Sequence, residues 1–184
     1  AMAQRLATLF QPERYDFLFE ERDARGNRVD RSELVANIYD WIDLNEEATD
    51  SRAEPAQWGR LGSGSEDAFY SSYGENIEPR NDYFDSHAEL KMVHGMSEAH
   101  FKAFADSISV YGEAKINILS APRQSIETLV RMCAANPTDP LLYDPLWMQQ
   151  TVSTWMSCKA AGLLLGGCQV SPQGFVSYLG SGMG

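Results

Sequence analysis

Residues 86–131 read SHAELKMVHGMSEAHFKAFADSISVYGEAKINILSAPRQSIETLVR, and the fold class is decided here. Ser86 stands three residues before Glu89, the spacing of a capping box, and opens a short helix with Leu90 and Val93 on one face. His94-Gly95-Met96 then breaks the pattern, with Gly95 placed where a helix C-cap wants a left-handed residue. Ser97 caps the next helix, whose apolar stripe is Phe101, Phe104, Ala105 and Ile108. The alternating run Lys115-Ile116-Asn117-Ile118 predicts minor β structure within 113–119. Ser120-Ala121-Pro122 opens a third helix with Ile126, Leu129, Val130 and Cys133 turned inward.

Helix, glycine turn and helix in that order resemble a helix-hairpin-helix unit, a SAM-like arrangement. Such turns aim backbone N–H groups at a phosphate, which points to nucleic acid. The charges point elsewhere. Lys91, Lys102, Lys115, Arg123 and Arg131 are balanced by Glu89, Glu98, Asp106, Glu113 and Glu127. A phosphate-binding surface needs a clear positive excess, because counterion release supplies most of its affinity. The hairpin therefore reads as scaffold.

The 184-residue chain is long enough for one domain with a sizeable core, and its formal net charge is −11. Residues 11–85 hold 19 acidic and 8 basic side chains, which accounts for the whole imbalance. Cations or a basic protein surface suit such a chain better than nucleic acid or an anionic membrane. No apolar run approaches the roughly 20 residues that a bilayer demands. The opening Ala1-Met2-Ala3 and the closing Gly180-Ser181-Gly182-Met183-Gly184 read as the limits of a piece excised from a longer protein. Of three cysteines, Cys133 falls on the Ile126/Leu129/Val130 stripe and reads as a buried core thiol. Cys158 and Cys168 flank a glycine-containing turn and can pair in an oxidising compartment, though spacing leaves the pairing open.

Residues 3–21 read as helical, with Leu6, Leu9, Phe10, Phe17, Leu18 and Phe19 interrupted by Pro12. Asp30 and Glu33 form a further capping box, ahead of Leu34, Val35, Ile38, Tyr39 and Ile42 at helical spacing. That helix runs into Asp40-Trp41-Ile42-Asp43-Leu44-Asn45-Glu46-Glu47. Carboxylates there face the negative end of the helix dipole, and Asp40 and Asp43 repel each other across one face. Solvent counterions, an arginine such as Arg52 or Arg60, or a bound hard cation would relieve them, and calcium is the metal that best suits irregular oxygen ligation. The spacing Asp43-x-Asn45-x-Glu47 resembles the opening of an EF-hand loop, but the glycine at the sixth place and the glutamate at the twelfth are missing, so an EF-hand is rejected. His87, His94 and His100 lack metal-ligand spacing. Residues 51–65 read as loop. Ser65-Glu66-Asp67-Ala68-Phe69-Tyr70 starts a short helix whose acids either compensate its dipole or return to complete a site with Asp43.

Beyond the hairpin, Asp144-Pro145 opens a helix with Leu146, Val152, Trp155 and Met156 at core spacing, and Gly174-Phe175-Val176-Ser177-Tyr178 reads as a strand or a disordered tail. The expected architecture is mainly α with minor β at 113–119 and in the tail. Its parts are 1–30 (leading helices and turn), 31–85 (helix, acidic loop, short helix), 86–133 (hairpin unit) and 134–184 (extra helix and glycine-rich tail), forming one compact domain.

Four blocks, in order, resemble the K-type minor pseudopilin of type II secretion, the general secretion pathway protein K family. They are Val35 to Asp43 with Asn45, Gly64-Ser65-Glu66-Asp67-Ala68-Phe69-Tyr70, Glu89 to Met96, and Ile116 to Pro122. The resemblance covers about residues 30–131. It implies a helical domain inserted into a pilin fold, the periplasmic part of an inner-membrane-anchored protein at the tip of a pseudopilus. It also implies contact with I- and J-type minor pseudopilins through the full-length chain, secreted cargo as a further candidate partner, and calcium in the helical domain. Carried onto this sequence, the implied oxygen ligands are Asp40, Asp43, Asn45, Glu66 and Asp67. Leu119-Ser120 departs from the Asn-Thr usual in the last block, and the membrane helix and most pilin strands are absent.

Three functions compete. The first is a structural, non-catalytic assembly domain; the second is a nucleic-acid-binding hairpin module, against which the charge balance argues. The third is a hydrolase built on Asp40/Asp43 or Glu66/Asp67. It lacks a nucleophile beside a base, a phosphate loop and a metal-binding histidine pair, so the chain reads as no enzyme.

Overall fold

Helix α3 (Arg31–Asp40) starts where two acids fix it. Asp30 Oδ1 accepts from the Glu33 N–H at 2.8 Å, the half of the capping box that satisfies a free N–H of the first turn. The structure, a computed structural model, describes residues 2–22, 26–53, 62–66, 70–71, 78–111, 115–134, 136, 138–165 and 171–180. Among these residues it is mainly helical with one small two-stranded antiparallel sheet. The chain divides into two compact units, Ala1–Glu113 and Ala114–Gly184. The boundary falls inside the 86–131 stretch.

In the first unit, α1 (Met2–Phe10) buries Leu6, Leu9 and Phe10, and α2 (Asp16–Glu20) buries Leu18 and Phe19. Both join Leu34, Val35 and Ile38 of α3 in one core. Phe17 stays 64 % exposed because a five-residue helix has only one face to bury. Phe10 and Tyr15 pack on Phe104 with centroids 4.6 and 4.7 Å away. Each such side chain contributes roughly 1.5–3 kcal/mol by leaving water. Arg31 ties the helices together, donating to the Phe10 carbonyl at 2.8 Å and to Asp16 Oδ1 at 2.5 Å.

Helix α4 (Glu98–Phe104) starts at its expected cap: Ser97 Oγ accepts from the His100 N–H at 3.2 Å. The segment before it is a 3-10 helix, His87–Met92, and the expected Ser86 capping box does not form. Glu89 instead accepts from the Asp85 N–H at 3.1 Å and pairs with Arg80, so its carboxylate is used one residue upstream. Leu90 and Val93 are buried as expected. Gly95 has φ +82°, and a Cβ on it would lie 2.6 Å from Val29 Cγ1. Only glycine fits this turn.

The sheet pairs β1 (Glu47–Thr49) with β2 (Gly62–Ser65), with Glu47 opposite Ser65, Thr49 opposite Gly62 and an irregularity between. The sequence reading had this region as loop. The expected β structure at 113–119 is not seen over 115–119: Asn117 turns the chain, its Oδ1 accepting from the Leu119 N–H and its carbonyl from Ser120 and Ala121. An Asx turn of this kind outweighs a four-residue alternation. Residues 113 and 114 lie outside the described residues.

The second unit packs α5 (Arg123–Met132), α6 (Pro145–Leu165) and α7 (Pro172–Gly180) around Ile126, Val130, Met148, Val152, Trp155 and Phe175. Asp144 caps α6, accepting from the Leu146 and Trp147 N–H groups at 2.8 and 3.1 Å. Leu146 is 70 % exposed, since it lies in the first turn. Cys133 is exposed rather than buried, because it is the C-cap residue just past the packed turns of α5. The tail is helix, not strand. Pro172 opens it, Ser171 Oγ accepts from the Gly174 N–H at 3.0 Å, and Phe175, Tyr178 and Leu179 recur at helical spacing on the core.

Candidate metal centre

The last turn of α3 delivers Asp40 into the protein at 6 % exposure. Its carboxylate accepts from the Thr49 N–H at 3.2 and 3.0 Å, so β1 is fastened to the end of the helix. One turn on, the Ile42 and Asp43 N–H groups both reach the Tyr39 carbonyl, which closes the helix and presents Asp43 beside Asp40. Trp41, between the two acids, is 3 % exposed and wedged against Tyr70 and Phe84 with centroids at 5.7 and 6.4 Å. Its carbonyl accepts from the Asn81 N–H at 3.1 Å, and Asn81 holds a positive φ of 53°.

The β hairpin then returns the chain. The Glu66 N–H donates to the Glu46 carbonyl at 3.3 Å, extending the pairing by one residue, and Glu66 is only 2 % exposed. As a result, carboxylate oxygens of Asp40, Asp43 and Glu66 lie within 4.8 Å of one another. Burial pushes the Asp40 carboxyl up to about 6, with the Thr49 hydrogen bonds opposing and the Asp43 charge adding to the rise. Asp43 is raised as well, by burial against the hydrogen bonds from Asn45. Among the described residues no ion pair joins Asp40 or Asp43 to a basic side chain, Arg52 included. Arg60 lies outside the described residues.

Asn45 plays a different part from the one its spacing implies. Its Nδ2 donates to Asp43 Oδ2 at 2.6 Å, and its Oδ1 accepts from the Glu47 N–H at 2.8 Å. It orders the turn and orients Asp43, with only a second lone pair on Oδ1 left to offer an ion. Asp67 lies outside the described residues. The role of Thr49 had no sequence signal, because the backbone N–H that reaches Asp40 is one that any non-proline residue carries.

Chemically, three carboxylates of which two are buried form a hard-oxygen donor set. Oxygens bound to one calcium at 2.3–2.6 Å sit up to about 5 Å apart, so these three carboxylates are within reach of one such hard cation. No family model, curated protein or solved structure matches the chain.

Proposed function

We propose that this chain is a structural, non-catalytic domain of a K-type minor pseudopilin, which braces the tip of a type II secretion pseudopilus. In this reading the Asp40, Asp43 and Glu66 centre holds calcium. The observation that carries it is the convergence of three acids, two of them buried, from a helix end and a strand end separated by a hairpin. These acids fall within the sequence blocks that resemble the family. An ion there neutralises like charges that otherwise oppose folding, so its binding free energy adds to stability. The disulfide-bonded state of Cys158 suits an oxidising compartment such as the periplasm. The hairpin turn is consistent with a scaffold rather than a nucleic-acid contact: the His94 N–H donates to the Tyr70 hydroxyl at 3.1 Å, and the His94 carbonyl accepts from Asn37 at 3.0 Å.

Thermal unfolding with excess calcium, with magnesium and with a chelator tests the reading. Calcium is expected to raise Tm by several degrees and magnesium by little, as for a ligand well above its Kd. Asp43→Ala should abolish most of the calcium response. Superimposable curves in calcium and chelator would remove the metal centre and leave an acidic scaffold.

A further inference from the structure

Beyond the end of α3, the chain at Asn81 to Phe84 turns one aromatic ring in and leaves its neighbour out. The Phe84 ring lies parallel to the Trp41 indole with centroids 6.4 Å apart, and the Asn81 N–H donates to the Trp41 carbonyl at 3.1 Å. Tyr83, between these two anchors, is 81 % exposed. A second exposed ring is held close by. The segment after α4 is tied back by two side chains: His87 Nε2 donates to the Ile108 carbonyl at 2.5 Å, and the Tyr111 hydroxyl donates to the Asp85 carbonyl at 2.7 Å. Tyr111 is nonetheless 69 % exposed. Two residues of chain span little, so the Tyr111 hydroxyl lies within about 12 Å of the Tyr83 Cα. The surroundings are acidic. Residues 78–89 and 105–111 hold the carboxylates of Glu78, Asp82, Asp85, Glu89 and Asp106 against the single guanidinium of Arg80. Arg80 is already engaged, 2.6 Å from Asp85 and 3.3 Å from Glu89, yet the Asp85 side chain stays 72 % exposed. Asp82 stands at the base of Tyr83, its Oδ1 accepting from the Tyr83 N–H at 2.7 Å.

We propose that this surface docks an arginine-bearing segment of a partner protein, with guanidinium groups laid on the Tyr83 and Tyr111 rings and forked onto Asp82 and Asp85. Arginine is the side chain that answers both features at once. Its flat cation stacks on an aromatic face, and its paired donors match a carboxylate. Lysine brings a compact, strongly hydrated charge that does neither as well. An anionic partner is repelled by the carboxylate excess, and an uncharged apolar one would strip water from carboxylates without replacing it. The rings rise from backbone that Trp41 and Asp85 already fix, so docking orders little that was free. This surface needs neither the calcium centre nor the secretion assignment.

Titration of the isotope-labelled whole chain with a hexa-arginine peptide, followed by amide chemical shifts at about 150 mM salt, tests the assignment where long-range attraction is screened. The shifts should concentrate at 80–87 and 108–111, and hexalysine should bind several-fold more weakly. Tyr83→Ala should weaken hexa-arginine about two- to fivefold, the share of an exposed cation–π contact, while Tyr83→Phe keeps the affinity. Asp82→Asn with Asp85→Asn should weaken it further than Glu20→Gln with Glu47→Gln, a pair of exposed acids elsewhere whose loss changes the net charge equally. Melting curves of each variant confirm that it is folded. Shifts spread over the whole acidic stretch 11–85, equal losses for the two acid pairs, or no binding at this salt would overturn the proposal.

Discussion

Gly26 and Gly95 share a φ of +82° and differ only in what surrounds them. A Cβ on Gly26 meets nothing within 4 Å, whereas one on Gly95 lies 2.6 and 2.9 Å from the two methyl groups of Val29. The pair therefore separates backbone strain from steric overlap. Gly26→Ala should cost about 1–2 kcal/mol, the price of a left-handed alanine. Gly95→Ala should cost about 2–4 kcal/mol, because Val29 must also give way in a packed site. Adding Val29→Ala to Gly95→Ala should recover the steric part, so the double variant is less destabilised than the sum of the singles. Urea unfolding of the parent, the three single variants (Val29→Ala included) and the double variant measures these terms. Equal losses for the two glycine variants would show that the Val29 contact is irrelevant. The need for glycine at position 95 was legible from its place between two helical patterns. Its long-range contact was not, because nothing in the local sequence links positions 29 and 95.

At the scale of elements, what could be read followed from capping. Asp30, Ser97 and Asp144 each start a helix through their own side chains, a local effect that a short sequence window contains. The hairpin β1–β2 was not legible: Gly62-Ser63-Gly64-Ser65 has none of the β-branched or aromatic residues that mark strands, and its pairing is fixed by backbone bonds to β1 and by Asp40. Hence Asp40 and Asp43 were recognisable as misplaced acids, while the arrival of Glu66 rested on a loop that proved to be a strand. The start of α4 carries a pH dependence. His100 is 6 % exposed, its Nδ1 is 2.7 Å from Ser97 Oγ, its ring meets Phe19 edge-on at 4.9 Å, and its Nε2 is buried without a hydrogen-bond partner among the described residues. Burial lowers its pKa below the ordinary 6.5, with Glu21 opposing. Above 6.5 the ring is neutral folded or unfolded, so it contributes no pH dependence. Below 6.5 the unfolded chain takes up the proton more readily, and stability falls as pH drops. His100→Gln should lose less stability than the parent between pH 7 and pH 5, as read from melting curves. Parallel curves would assign the acid sensitivity to other groups.

The whole molecule is strongly acidic, yet that charge is confined to part of the chain. Residues 11–85 carry the entire excess of eleven, whereas 86–131 are balanced. The helix-hairpin-helix reading and the assembly reading therefore make opposite demands on one measurement. A hairpin that gripped phosphate would bring DNA to an acidic body, and attraction would have to come from counterion release that a balanced surface does not supply. An assembly domain instead offers carboxylates to a partner with basic groups, and such contacts steer association and weaken with salt. Size-exclusion runs of the chain with a DNA duplex decide between them. At about 50 mM salt the chain should leave the duplex unshifted. Co-elution with the duplex that disappears by about 200 mM salt would reverse the assignment. The hairpin would then be the working surface, and the acidic half a means of limiting its grip.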